Sequence, residues 1–311
     1  MPSRLRPPTR DDAQAVLAVV LARDVADVGE PDYTLEDLLD EWDAEGFDLA
    51  ADAVVTEDLA GYAMLRHDQA VVAVHPDAEG RGIGAALLAW AERRAAERGD
   101  DRHRQDVGER NARGRALLEA HGYRRVRSYW RMTIASAGVA PGAPAPPAGF
   151  AARRLDRNAD ARGLHEVNER AFGSVAAYRG EPLERFVEEH LQASTLSDDL
   201  SVVADAGGRI GGFALVRDWS DEGRGYVDLL AVDPEVRGGG VGSWLLRTAF
   251  ARCRDAGLAE TMLGVAADNP RAVTLYERAG MRVRFRIDSY ERPVSAGAAP
   301  AAAALADQPP S

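Results

Sequence analysis

Lysine is absent from this chain, and cysteine occurs once. All 38 basic residues are arginine, and the single cysteine is Cys253. Without lysine, no phosphate-binding loop of the Gly-Lys-Ser/Thr type can form. With one cysteine no intrachain disulfide is possible, which suits a reducing cytoplasm. Cys253 lies in an apolar helical pattern and is interpreted as a packing residue.

Long apolar runs and an excess of positive charge are also missing. The chain contains no stretch of about 18 apolar residues, the length needed to span a bilayer. The charged N-terminus lacks the apolar core of a signal peptide. The net charge of -12 and the 6% aromatic content disfavour nucleic-acid binding and favour a cationic ligand such as an amine. We therefore expect a cytoplasmic protein that binds neither membranes nor nucleic acid.

The length and two low-complexity segments predict a two-domain chain. At 311 residues the chain suits two domains of roughly 100–200 residues each. Residues 136–149 are rich in Pro, Ala and Gly and lack charged and aromatic residues, which is typical of a linker. Residues 294–311 are similar and are predicted to be a disordered tail. Function is expected in residues 1–135 and 150–293.

The two predicted domains share an internal repeat. An interval of 158 residues separates Val74 from Val232 in two similar glycine-rich segments, and the same interval separates Asn111 from Asn269 in two similar helical segments. Each copy has the same order of elements, typical of a mixed α/β domain. The second copy is predicted to contain a helix at 160–172, strands at 201–205, 211–217 and 226–232, a helix at 241–256, a strand at 261–266, a helix at 271–279 and a strand at 282–290.

The glycine-rich segment of the second copy joins a strand to a helix. Proline at 234 ends the strand because it cannot donate a hydrogen bond to the sheet. The glycines that follow let main-chain amides converge on an anion, and Arg237 adds a charged donor for phosphate. A plain tight turn is the alternative. A dinucleotide-binding turn fits less well, because several strands precede this one and no acidic partner for a ribose can be placed.

This segment resembles the acyl-CoA signature of the GNAT superfamily of N-acetyltransferases. The pattern Arg/Gln-x-x-Gly-x-Gly/Ala is matched by Arg237, Gly240 and Gly242, and the downstream segment with Asn269, Tyr276 and a helix-ending glycine is also similar to the family. The resemblance implies an α/β fold with two GNAT domains, each a mixed, mostly antiparallel twisted sheet flanked by helices.

The resemblance also implies the donor site and the course of the reaction. Acetyl-CoA would bind with its pantetheine arm between splayed strands and its pyrophosphate on the glycine-rich turn, and the amine would attack the thioester directly in a ternary complex. No covalent intermediate and no metal are expected. The residues implied in cofactor binding are Leu230, Ala231, Val232, Arg237, Gly238, Gly239, Gly240, Val241, Gly242, Ser243, Asn269 and Tyr276.

Two residues match catalytic positions of the family. Tyr276 corresponds to the tyrosine that donates a proton to the departing thiolate, and the alternative is a packing tyrosine on an amphipathic helix. Asp228 lies on the strand beside the thioester, where it could accept the ammonium proton through water, and the alternative is a solvent-facing strand residue. Arg217, Asp218 and Glu222 are interpreted as solvated loop charges.

The first copy departs from the family at the equivalent positions. Glu79 stands in the position of Arg237, Ala70 in that of Asp228, and Leu118 in that of Tyr276. A carboxylate near pyrophosphate is unfavourable, and neither Ala nor Leu can move a proton. We therefore expect a degenerate domain. It keeps a second cofactor site in outline, formed by Val74, Gly80, Arg81, Gly82, Ile83 and Gly84.

The resemblance to the GNAT superfamily implies an N-acetyltransferase that acts on a small-molecule amine, as a monomer or homodimer. The chain resembles the mycothiol synthases, a branch of the family, in length, in duplication and in carrying the chemistry in the C-terminal half. That resemblance makes an aminosugar-thiol precursor one acceptor among several. A protein that binds acyl-CoA for regulation without catalysis is the alternative of another class.

Overall fold

The computed structural model describes residues 4–31, 33–67, 69–142, 144–173 and 178–294. Of the predicted tail at 294–311, all but Val294 lies outside these residues. None of the helices in the described part of the chain is long and apolar enough to cross a membrane.

Within the described residues the first repeat forms six strands and five α-helices. The strands are β1 (Leu5–Arg6), β2 (Ala53–Thr56), β3 (Gly61–Arg66), β4 (Gln69–Val74), β5 (Arg102–Gly108) and β6 (Arg124–Ala135). The helices are α1 (Ala13–Asp27), α2 (Leu35–Asp43), α3 (Leu49–Asp52), α4 (Ile83–Arg98) and α5 (Ala112–Ala120). Thr34 caps α2, because its side chain accepts a hydrogen bond from Asp37 N while the Asp37 carboxylate accepts one from Thr34 N.

The second repeat has the same order of elements. Its strands are β7 (Ala151–Arg153), β8 (Val202–Asp205), β9 (Ile210–Trp219), β10 (Arg224–Val232), β11 (Glu260–Ala266) and β12 (Arg282–Pro293). Its helices are α6 (Arg157–Phe172), α7 (Leu183–Phe186), α8 (Val241–Asp255) and α9 (Pro270–Arg278). All eight predicted elements are present, with ends within three residues of the prediction. A π-helical turn at Val187–Leu191 extends α7, and the sequence did not predict this helical segment.

The strands form one twelve-stranded sheet in the order β1-β2-β3-β4-β5-β12-β6-β11-β10-β9-β8-β7. Among the described strands only the pairs β4–β5 and β10–β11 are parallel. The fold class is therefore the predicted one, a mixed and mostly antiparallel α/β structure flanked by helices.

The last strands of the two repeats are exchanged at the centre of this sheet. β12 pairs with β5 of the first repeat, with Ile287 opposite Gly108, and β6 pairs with β11 of the second repeat, with Met132 opposite Leu263. β6 and β12 also pair with each other. Each half of the sheet is thus completed by a strand from the other half.

Helices cover both faces of the sheet, because side chains alternate along the strands. In the second repeat Val203 and Phe213 pack against α6 and α7, whereas Val202 and Ala214 pack against α8 on the opposite face. In the first repeat α1 and α2 cover one face and α4 covers the other. This three-layer arrangement places the first turns of α4 and α8 beside the ends of β4 and β10.

The predicted linker contacts α8 and the segment that follows it, and the single cysteine is a residue of α8. The Trp244 indole donates a hydrogen bond to the Pro144 carbonyl oxygen at 3.1 Å, and the Ser136 hydroxyl donates one to the Leu258 carbonyl oxygen at 2.6 Å. Cys253 is buried and free, and burial raises the pKa of its thiol to about 11. A neutral, enclosed thiol is a packing group and not a nucleophile.

Candidate active site

The parallel strands β10 and β11 separate halfway along their length. They pair from Arg224 with Glu260 to Val227 with Leu263, and β10 continues to Val232 without this partner. A register shift between Val227 and Leu229 makes Asp228 the extra residue of a β-bulge. We call the gap between the separated parts of β10 and β11 the wedge. It lies beside the main chain of Leu230, Ala231 and Val232, the segment predicted to bind the pantetheine arm.

The glycine-rich turn ends at the first residue of α8. Gly238 and Gly240 have φ angles of +84° and +82°, which favour glycine, and Gly240 directly precedes Val241. A Cβ atom placed on either glycine would meet no described atom within 4 Å, so the space above the turn is open. Gly239 lies between them. The amides of Val241, Gly242 and Ser243 form the first turn of α8, which is suited to bind an anion.

Arg237 contacts the main chain as well as facing solvent. Its guanidinium donates hydrogen bonds to the carbonyl oxygens of Ala171, at 2.6 Å, and Val232, at 3.3 Å. The arginine therefore joins the turn to α6 and β10, and its side chain remains exposed to solvent. Asp233, buried beneath the turn, pairs with Arg170 at 2.9 Å and holds the same segment.

Tyr276 lies in the packed interior, and the residue before it, Leu275, reaches the first turn of α8, 3.7 Å from a Cβ atom placed on Gly242. Tyr276 belongs to the apolar cluster that contains Val241, the first residue of α8, and Val265 of β11. Its side chain is 9% exposed, and burial raises the pKa of its phenol to about 12, with a smaller contribution from Tyr226. The phenol forms no side-chain hydrogen bond with another described residue. Asn269 caps α9, because its side chain accepts a hydrogen bond from Ala272 N at 3.2 Å.

Asp228 is held by two basic side chains. Its carboxylate accepts hydrogen bonds from His190 Nδ1 at 2.8 Å and from Arg217 Nε at 3.1 Å. Burial acts to raise the pKa of Asp228, but Arg217 and His190 outweigh it, so the pKa is lowered. Burial likewise acts to lower the pKa of His190, but Asp228 and Glu181 outweigh it, so that pKa is raised. The interpretation of Arg217 as a solvated loop charge is wrong, because β9 continues through it to Trp219.

Four further residues that the sequence analysis missed lie together beside the paired part of β10 and β11. Tyr226 Oη accepts a hydrogen bond from Arg131 Nη1 at 2.6 Å, and the Tyr226 ring stacks on Trp219 with centroids 4.8 Å apart. A Cβ atom on Gly264 would lie 3.1 Å from Tyr226 Oη and 3.2 Å from Arg131 Nη1, so glycine leaves room for both. Arg131 belongs to the exchanged strand β6, and no pattern within one repeat could have placed it here.

A cavity of about 780 Å³ lies between the two repeats at this end of the wedge. Ion pairs cross it from Arg66 to Glu188 at 3.0 Å and from Arg217 to Asp37 at 3.5 Å. Carboxylates outnumber arginines in its lining, which favours a cationic ligand. We call it the inter-repeat cavity.

Two carboxylates and a histidine next to the inter-repeat cavity lie close enough together to hold a cation. The side chains of Glu181, Glu189 and His190 place ligand atoms within 4.8 Å of one another, a spacing that a metal ion could also use. Arg185 already pairs with Glu181 at 3.9 Å and with Glu189 at 3.0 Å, and Asp228 pairs with His190 at 2.8 Å.

The first repeat has its own cleft, of about 930 Å³, between β4 and β5. These strands pair only at Gln69 and Ala70 before they separate. Of the residues outlined for a second cofactor site, all but the exposed Arg81 line this N-terminal cleft, namely Val74, Gly80, Gly82, Ile83 and Gly84.

The unfavourable carboxylate of the N-terminal cleft is neutralised. Glu79 pairs with Arg23 at 2.5 Å and with Arg113 at 3.1 Å, so two guanidinium groups offset its charge. Leu118 lines the cleft where the second repeat has Tyr276, and Ala70 lines it where the second repeat has Asp228.

Comparisons with known proteins agree with this architecture. The model of the acetyltransferase (GNAT) family matches residues 19–123 and again residues 159–281. A mycothiol acetyltransferase of Catenulispora acidiphila is 32% identical over 238 residues, which cover 73% of this chain and 75% of the relative.

Two solved structures are similar over almost the whole chain. A GCN5-related N-acetyltransferase from Sphaerobacter thermophilus has a TM-score of 0.73 at 30% identity, covering 94% of this chain and 95% of that one. A tandem GNAT protein from the clavulanic acid biosynthesis pathway has a TM-score of 0.72 at 19% identity, covering 94% and 98%.

Proposed function

The chain belongs to the acetyltransferase (GNAT) family, and on this premise we propose that it moves the acetyl group of acetyl-CoA directly to an amine, with the chemistry in its C-terminal repeat. It is an acetyltransferase with two GNAT domains, and its donor is an acyl-CoA. The observation that carries the proposal is the position of Tyr276, a buried phenol without a side-chain hydrogen bond among the described residues, in the apolar cluster that also contains the first residue of α8. We take residues 1–135 and 150–293 as the two functional units.

The donor is held by the wedge and the turn. Main-chain groups of Leu230 and Val232 bind the pantetheine arm, and the amides of 238–243 with the outer face of Arg237 bind the pyrophosphate. The open space above Gly238 and Gly240 supports this assignment, because phosphate oxygens need close approach to the backbone.

Tyr276 and Asp228 divide the proton transfers. A phenol with a pKa near 12 stays protonated at neutral pH and can donate to the departing thiolate. Asp228 is ionised and attracts the ammonium group of the acceptor, and it takes the proton through water. Its lowered pKa makes it a weak base, so its main effect is electrostatic.

The acceptor binds in the inter-repeat cavity, whose acidic lining supports a cationic small molecule. The name of the Catenulispora relative favours the mycothiol precursor that lacks its acetyl group, an aminosugar-thiol, as the first acceptor to test. The exchange of β6 and β12 joins two GNAT units within one chain, and it supports a monomer.

We expect two acetyl-CoA sites per chain in calorimetry, each removed by a matched substitution. Gly82→Val and Gly240→Val replace the glycine that precedes α4 or α8, at φ angles of +79° and +82°. Valine is strained there by about 1–3 kcal/mol, and its methyl groups enter the space needed by phosphate. Each variant should lose one site, and Gly240→Val should also lose most of the transfer to the mycothiol precursor, cysteine or glucosamine. Two acetyl-CoA sites of unchanged affinity in Gly240→Val would contradict the assignment.

Asp228→Asn should lower kcat/KM for acetyl transfer by about 100-fold, at the lower end of acid–base effects, because Arg217 already offsets the carboxylate charge. The pKa of Asp228 is lowered, so the carboxylate stays ionised from about pH 5 upward, and the wild-type profile should show no acid limb from this group at neutral pH. The pH dependence of kcat/KM measures both effects. Asp218→Asn, an exposed neighbour, is the control, and equal losses in the two variants would remove Asp228 from the mechanism.

A further inference from the structure

The N-terminal cleft and the inter-repeat cavity meet at one place. Five residues line both, namely Tyr33, Glu41, Gln69, Val71 and Arg131. The meeting point lies where β4 and β5 separate, which in the C-terminal repeat is the place assigned to the thioester. A donor in the N-terminal cleft and an amine in the inter-repeat cavity would therefore approach each other here.

Glu41 is the carboxylate at this meeting point. Tyr33 Oη donates a hydrogen bond to Glu41 Oε2, whereas Glu41 Oε1 has no hydrogen-bond partner among the described residues. The helix α2 holds the side chain in place, because Trp42, the next residue, donates a hydrogen bond to Tyr62 Oη at 2.9 Å. One carboxylate oxygen is thus fixed, and the other is free to take a proton.

We propose that the N-terminal cleft is a second acyl-transfer centre, in which Glu41 is the general base for an amine bound in the inter-repeat cavity. The inference rests on the proposed function, since it needs the same acyl-CoA donor. It differs from the expectation of a degenerate domain because the base comes from α2 and not from the strand position that holds Ala70. The two centres share one acceptor cavity.

The proton balance of this step closes without a tyrosine. Glu41 Oε1 takes one proton from the ammonium group, and the amine nitrogen forms a bond to the thioester carbon. The carbon–sulfur bond breaks, and the nitrogen gives a second proton to the departing sulfur. The third proton stays on the amide. Leu118, at the position of Tyr276, therefore does not prevent transfer.

The surroundings of Glu41 suit a base at neutral pH. Burial raises the pKa of Glu41 to about 7, and the bond from Tyr33 and the charges of Arg66 and Arg217 act against burial. The ionisable groups that face it are Tyr33, Asp37, Tyr62, Arg66, Arg131 and Arg217. A carboxyl group with a pKa near the working pH is partly ionised and is still basic enough to take a proton from the ammonium group.

The test uses the full-length chain with the C-terminal centre disabled by Asp228→Asn and Tyr276→Phe. With acetyl-CoA and the mycothiol precursor, cysteine or glucosamine, this double variant should keep transfer above the rate without protein. Adding Glu41→Gln should lower that remaining kcat/KM at least about 100-fold, and adding Gly82→Val should remove it by excluding the donor. Glu36→Gln, on the exposed face of α2, should leave it unchanged.

A second readout does not depend on turnover. In infrared difference spectra between about pH 5 and pH 9, a carboxyl band should titrate near 7 and vanish in Glu41→Gln. The more conservative Glu41→Asp should retain a titrating band and an intermediate rate, which separates loss of the base from loss of folding.

The outcomes distinguish this proposal from the function on which it rests. Transfer by the wild type together with none by the double variant would overturn the second centre and leave the C-terminal reaction intact. Equal rates with and without Glu41→Gln would also overturn it. Absence of transfer in the wild type would overturn the proposed function itself.

Discussion

Replacing Tyr276 by Phe should lower kcat of the C-terminal centre by about 100- to 10,000-fold, the range of a lost general acid. The phenylalanine ring keeps its place in the apolar cluster that contains Val241 and Val265, so the change removes the hydroxyl and little else. Because the phenol forms no side-chain hydrogen bond with a described residue, no buried partner is left unsatisfied, and the free energy of unfolding should stay within about 1 kcal/mol. A large loss of rate with an unchanged fold is the signature of a proton donor.

The measurement is thiol release under single-turnover conditions. All proteins compared also carry Glu41→Gln, so that only the C-terminal centre contributes to the measured rate. Acetyl-CoA affinity should be unchanged, because the proposed role of the hydroxyl arises only when the thiolate departs. Tyr290→Phe is the matched control, since Tyr290 is also buried and its hydroxyl contacts Glu119 at 3.3 Å, in the N-terminal half of the sheet. A Tyr276→Phe protein as fast as this control would place the acid elsewhere.

Much of the fold follows from local sequence signals. The ends of the C-terminal elements agree with prediction because distinct residues mark them, with Pro234 after β10, Gly240 before α8 and Asn269 before α9. The repeat interval then carries the same order of elements to the first half. Each of these residues determines the structure of its immediate neighbours in the chain, so the ends of the elements can be predicted from one sequence.

The exchange of β6 and β12 could not be predicted in the same way. The alternation of side chains determines which face of a strand is buried, but it does not determine which neighbour supplies the hydrogen bonds. Both strands end their repeats, and either partner strand satisfies the backbone equally well. The choice depends on the whole sheet.

The residues of the candidate site also fall into two groups, those that the sequence predicted and those that it did not. The wedge residues and the turn were predicted from the motif, whereas Arg131, Arg217 and Glu41 come from an exchanged strand, a longer strand and the other repeat. Glu41 has no motif around it, and its chemistry arises from burial at the meeting point of two cavities. Sequence patterns describe one repeat at a time, and these residues act between repeats.

A chain that ends at Met281 should fail to form either repeat, because it lacks β12. Its removal exposes the paired edges of both β5 and β6 and deletes the buried Phe285 and Tyr290. Burial of each large side chain contributes about 1.5–3 kcal/mol, and a lost strand with its hydrogen bonds approaches the total stability of a domain, about 5–15 kcal/mol. Thermal unfolding followed by circular dichroism and size-exclusion chromatography should show loss of the cooperative transition and aggregation through open strand edges.

A chain that ends at Val294 is the matched control and should unfold like the full-length protein, since it keeps β12.

The exchange of β6 and β12 also predicts how the two halves of the chain behave when they are separated. Residues 150–293 alone lack β6, which lies between β11 and β12, and residues 1–135 alone lack β12. Neither piece should fold by itself, but the two mixed in equal amounts supply both strands and should regain cooperative unfolding and acetyl transfer. Independent folding of residues 150–293 with transfer activity would mean that the C-terminal unit can pair β11 with its own last strand.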